Sequence, residues 1–73
     1  MYYLTGVQHT TGGDIAMPVA GYSVDGYKKK YHEEMAYAMN NAEFLGLSII
    51  VFNGSGSVVL SDNWVRTASE NEG

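Results

Sequence analysis

"GLSIIVFNGSGSVVLSDNWVR", residues 46–66, decides the architecture. Its first part, 46–53, is dense in β-branched and aromatic side chains, which suit a pleated, half-buried surface. "GSG" at 54–56 supplies a reversal and residues 57–66 return as a second extended run, so the stretch predicts a β-hairpin. Alternation puts Val58, Leu60, Asp62 and Trp64 on one face of the returning strand and Val59, Ser61, Asn63 and Val65 on the other. On the outgoing strand Ile49 and Val51 alternate with Ile50 and Phe52, so bulky apolar groups point to both sides of the sheet.

Upstream of the hairpin the period changes. Ser23 is placed to cap a helix beginning at Val24, with Asp25 in the first turn against the positive end of the helix dipole. Tyr27, Tyr31, Met35, Ala38 and Ala42 recur at helical spacing, with Met39 and Ala36 widening the stripe, and the helix is expected to run to about Ala42 or Glu43. Lys28, Lys29, Lys30, Glu33 and Glu34 fill the other arc. Lys29 with Glu33 and Lys30 with Glu34 stand one turn apart, where an exposed pair contributes ~0.2–0.5 kcal/mol.

The N-terminal third reads as a second hairpin. "YYLTGVQHT" (2–10) is a strand with Tyr3, Val7 and His9 on one face and Tyr2, Leu4 and Gln8 on the other. "TGGD" (11–14) is a turn signal and "IAMPVAGYS" (15–23) a second strand. Pro18 lacks an amide hydrogen, so that strand is expected at an edge or bulged there. The order β-β-α-β-β predicts an α+β fold, a four-stranded antiparallel sheet with one helix packed on one face, over residues 1–67, followed by a polar tail at 68–73. One helix covers one face, and an apolar face left open marks an interface.

Composition narrows the function classes. The chain has 73 residues, 45% of them hydrophobic, and a formal net charge of −4. It is too apolar for disorder and large enough for one thin core. The acidic balance argues against nucleic-acid binding, which needs an excess of clustered Lys and Arg. There is no cysteine, no apolar run long enough to span a bilayer, and no basic segment followed by an apolar stretch at the N-terminus. A soluble, cytoplasmic protein without a cofactor is expected.

No catalytic signature is present. His9 and His32 without cysteine or a tight carboxylate cluster make at most an incomplete metal set. "NGSGS" has the composition of a phosphate loop but joins two strands, whereas phosphate loops join a strand to a helix N-terminus. The Lys28 to Glu34 cluster reads as the solvated side of an amphipathic helix, with contact to a charged partner as its functional alternative. Trp64 divides evenly between core filler and interface anchor.

The aromatic first strand, the strand closing on "GYS", the helix carrying Tyr31-His32 and then "EEMAYAM", and the hairpin "SIIVFNGSGSVVLSDNW" resemble a group of small β-β-α-β-β proteins from Gram-positive gut bacteria, their phages and prophages. The resemblance runs from about Tyr3 to Trp64, departs from the group at Gly26, and implies a mobile-element context rather than an activity. It leads to the expectation of a non-enzymatic binding protein that docks onto a host or defence protein as an inhibitor, for example of a CRISPR effector nuclease, with Tyr2, Tyr3, Phe52 and Trp64 as candidate anchors. A homo-oligomer sequestering a nucleotide-like signal molecule at a subunit interface, with Lys28 to Lys30 on its phosphate, is the alternative, and a structural homodimer is the third.

Overall fold

Two local reversals and one capped helix fix the course of the chain. The computed structural model describes residues 1–67; the stretch read as a polar tail, 68–73, lies outside the described residues. The elements are β1 (Tyr2–Thr10), β2 (Gly13–Tyr22), α1 (Val24–Met39), β3 (Phe44–Asn53) and β4 (Val58–Val65). They form the expected α+β arrangement, an open antiparallel sheet in the order β2-β1-β3-β4 with the helix between β2 and β3.

The first reversal is closed by Thr10, whose hydroxyl donates to the Gly13 carbonyl (2.7 Å) and accepts from the Gly12 amide (3.2 Å). Gly13 takes φ +120°, a conformation that L side chains rarely adopt. In the second, the Asn53 carboxamide oxygen accepts from the amides of Ser55 and Ser57, both at 3.0 Å, and from the Ser55 hydroxyl. The amides of Asn53, Ser55, Gly56 and Ser57 are thus consumed within a tight turn.

β2 is an edge strand and is also bulged: Leu4 pairs with Ala20 but Gly6 with Met17, so Pro18 and Val19 together oppose Thr5. The Thr5 hydroxyl donates to the Met17 carbonyl (2.8 Å) across the irregularity. Beside it, Gly6 lets the two central strands approach, since a Cβ there would stand 2.0 Å from the Ser48 carbonyl oxygen of β3.

Register assigns the covered face. The rows Leu4–Val51–Leu60 and Gln8–Leu47–Trp64 lie under the helix, with Ile49 between Gly6 and Asp62. Leu4, Leu47, Ile49 and Val51 are buried against Tyr27, Met35 and Ala38 of α1 and against Phe44. Tyr2, Met17, Tyr22, Tyr31, Leu60 and Trp64 close the margin of this core.

Three expectations are corrected. The helix ends at Met39 rather than at Ala42 or Glu43, with Asn40 as its cap and its carboxamide nitrogen on the Ala36 carbonyl (2.9 Å). Met39 and Ala36 are exposed and Ala42 lies beyond the helix, because at about 100° per residue Ala36 points away from the sheet and Met39 to its side. Val58 does not share a face with Leu60, because a register shift between Val51 and Phe52 places it opposite Phe52.

No basic residue lies in the last turn of α1, and Arg66 supplies the missing cation from beyond β4. Its guanidinium donates to the carbonyls of Phe44 (2.9 Å), Ala38 (3.1 Å) and Asn41 (3.1 Å), and reaches that of Met39 (3.3 Å). It also stacks 4.9 Å from the Trp64 ring centroid.

Candidate docking face

The sheet face away from the helix is made of the rows Tyr3–Phe52–Val58, Thr5–Ile50–Ser61, Val7–Ser48–Asn63 and His9–Gly46–Val65. On the β2 side, Gly21 joins the first row, Ala16 the third and Asp14 the fourth. Nothing among the described residues covers it. Tyr3 and Phe52 stack with ring centroids 5.5 Å apart, and Ile50 and Val58 beside them are 41% and 59% exposed. Apolar surface is therefore concentrated at one end of the face.

The other end is polar and bonded from edge to edge. Asp14 Oδ1 lies 2.9 Å from His9 Nδ1, His9 Nε2 lies 3.5 Å from Ser48 Oγ, and Ser48 Oγ lies 2.6 Å from Asn63 Oδ1. Each of the four strands contributes one member. One link is legible in the first hairpin, where a two-residue turn sets His9 opposite Asp14. The second hairpin's bulge moves Ser48 from Asp62, its partner by unbroken pairing, to Asn63, and no local spacing signals the meeting of β1 with β3.

The four aromatic anchor candidates do not share a face. Tyr3 and Phe52 are on the open one. Tyr2 lies on the covered face, its ring 5.0 Å from that of Tyr27, and Trp64 lies there under Arg66.

The charged candidates are on α1, remote from the open face. Lys28, Lys29 and Glu33 are exposed, whereas Lys30 and Glu34 are half-buried and paired at 3.3 Å. The hydrogen bond to Glu34, reinforced by its charge, holds the Lys30 ammonium above its ordinary value. This pair stands at the lip of a groove of about 250 Å³ between α1 and β2, with Leu4, Gln8, Met17 and Tyr22 in its walls. On the opposite side of the helix the Tyr31 hydroxyl donates to Asp62, whose other oxygen accepts from the Asn63 amide (2.8 Å). The Asp62 bond, with burial and the carboxylate's charge adding to it, raises the Tyr31 phenol above its usual value.

Among the described residues no group of three or more His, Cys, Asp or Glu side chains could hold a metal ion, and no helix is long and apolar enough to cross a membrane. No family model, curated protein or solved structure matches the chain.

Proposed function

We propose that the chain is a small docking protein that seats its open sheet face on a protein partner and blocks it. The observation that carries this reading is the uncovered Tyr3–Phe52 stack with Ile50 and Val58 exposed beside it, on a sheet whose other face is closed by the helix. Flat aromatic and aliphatic clusters of this kind form the desolvated centres of interfaces. Electrostatics favours a basic partner. Asp14 is the one formally charged group in the open rows, no Lys or Arg stands in them, and the whole chain carries a net charge of −4. A nucleic-acid-handling host or defence protein, such as a CRISPR effector nuclease, presents such a basic surface. This also accords with the phage and prophage context that the sequence resemblance implies.

One further reading is an outcome of the same experiment, and another concerns a different surface. A second copy on the open face would make the protein a structural homodimer, and a nucleotide-like ligand would use the groove beside Lys30 instead. The test places a photo-crosslinking amino acid at Phe52, and in a control at Tyr37, which is 58% exposed on the helix. A heterologous adduct from position 52 alone identifies a partner, whose affinity for the purified chain should fall roughly 30-fold in Phe52→Ala, about 2 kcal/mol. An adduct of twice the 8.0 kDa chain mass assigns the face to self-association and overturns the docking reading.

A further inference from the structure

The polar end of the open face carries an arrangement of which docking uses only the Asp14 charge. Asp14, His9 and Ser48 are linked in order, carboxylate to Nδ1 at 2.9 Å and Nε2 to hydroxyl at 3.5 Å. This is the connectivity by which a serine hydroxyl becomes a nucleophile: an imidazole takes its proton and a carboxylate on the far nitrogen fixes the imidazole. The hydroxyl-to-imidazole distance is long for a hydrogen bond, as such contacts often are before substrate binds. Such constellations are recognised by geometry and roles, not by sequence order.

A fourth group completes the set. The Asn63 carboxamide stands 2.6 Å from Ser48 Oγ, with its oxygen accepting the hydroxyl proton. A half-turn of that carboxamide presents Nδ2–H instead, because its oxygen and nitrogen occupy equivalent positions. Ser48 is then free to donate to His9 Nε2, and Asn63 becomes a donor for an oxyanion formed beside Ser48, a role asparagine side chains fill in acyl transfer. Gly46 adds no side chain to the face, and the His9 ring rests against it, with Cδ2 3.5 Å from where a Cβ would stand. Val7 across the ladder and Ile50 along the strand flank Ser48 with apolar groups.

We propose that Ser48 is a nucleophilic serine that accepts the acyl group of small activated carboxylic esters, with His9 as general base and Asp14 as the residue positioning it. Ser48 Oγ bonds to the carbonyl carbon as its proton passes to His9 Nε2, and the oxyanion is held by Asn63 Nδ2–H. The carbon–oxygen bond to the alcohol breaks, and the alcohol leaves with the proton from His9. Water, deprotonated by His9, then cleaves the acyl-serine to carboxylic acid and restores the hydroxyl. The site lies open to water, which weakens electrostatic stabilisation, so the chemistry is slow. The docking reading takes its apolar contacts from the other end of the face and shares only the Asp14 charge with this proposal, so either can fail alone.

The test incubates the whole chain with a fluorophosphonate probe, and separately with p-nitrophenyl butyrate followed by acid quenching, and locates adducts by peptide mass mapping. One phosphonyl or butyryl group on Ser48 is expected. It should be absent in Ser48→Ala and form roughly 100-fold more slowly in His9→Gln, the scale of a lost general base. Asp14→Asn should slow labelling and displace its pH–rate profile, which a merely structural contact would leave in place. All three positions are on the uncovered face, and circular dichroism checks that each variant is folded. No adduct on Ser48, adducts scattered over other hydroxyls and lysines, or labelling unchanged in His9→Gln would each overturn the proposal.

Discussion

Replacing Arg66 by alanine should cost this domain a large share of its stability, although the residue lies beyond the last strand. Its guanidinium reaches four carbonyl oxygens, at the C-terminal end of α1, in the connection that follows and at the start of β3, and packs on Trp64. Hydrogen bonds from a charged donor contribute ~1.5–3 kcal/mol net. A cation at a helix C-terminus adds ~0.3–1 kcal/mol and cation–π stacking ~0.5–1 kcal/mol. These overlap at one side chain, so about 3 kcal/mol is a fair total for the loss. Against the ~5–15 kcal/mol of a typical domain that is severe. At ~4–8 °C per kcal/mol it lowers the melting temperature by roughly 12–24 °C. Urea unfolding followed by far-ultraviolet circular dichroism measures it without relying on Trp64, whose environment the substitution changes. Arg66→Lys keeps the charge but cannot span the same carbonyls, and should lose about 1–2 kcal/mol. An alanine variant within ~0.5 kcal/mol of the parent would refute the capping role, and a lysine variant as stable as arginine would reduce it to bare charge.

Other perturbations separate further parts of the fold. Gly6→Ala drives a methyl group into the Ser48 carbonyl and should destabilise by at least ~2 kcal/mol in urea unfolding. Trp64→Ala should cost ~2–3 kcal/mol and Phe52→Ala only ~1 kcal/mol, because Trp64 closes the core while Phe52 lies on the open face; equal losses would put the helix on the wrong side of the sheet. The raised Tyr31 phenol means that the folded state keeps a proton the unfolded chain releases as pH rises above about 10. Its contribution is full below that value and is lost as pH climbs through the higher folded value. Tyr31→Phe should therefore flatten the alkaline fall in stability relative to the parent, seen in melts from pH 8 to about 11.5.

Much of this architecture is legible in the sequence because it is local. Alternation and the glycines at 12, 13, 54 and 56 specify both hairpins, Ser23 marks the helix start with its hydroxyl accepting from the Gly26 amide (3.1 Å), and Pro18 marks a bulged edge. The helix end is not legible there, because Ala42 continues the apolar spacing, while the cap depends on Asn40 and on Arg66, a residue remote in sequence. The side taken by Val58 is not legible either, because a bulge adds a residue that strict alternation does not count. Alternation does set Tyr2 opposite Tyr3, yet which of them meets the helix depends on strand order, a global property. The same holds for Ser48 and His9, which no spacing rule brings together.

The strand order also governs how the molecule comes together in time. β1 and β3 form the middle of the sheet, and their ladder joins Tyr2 to Asn53, so the seam closes over a loop containing β2 and the whole helix. Each hairpin can form on its own within microseconds, but neither has a core until that loop closes. Until then the inner edges of both hairpins are bare, and they are the edges most exposed to pairing with another chain. Folding speed should thus be set at the seam, with Val51→Ala slowing refolding and Val58→Ala mainly hastening unfolding. For so small a protein, aggregation is then a race decided by loop closure rather than by the stability of the finished fold.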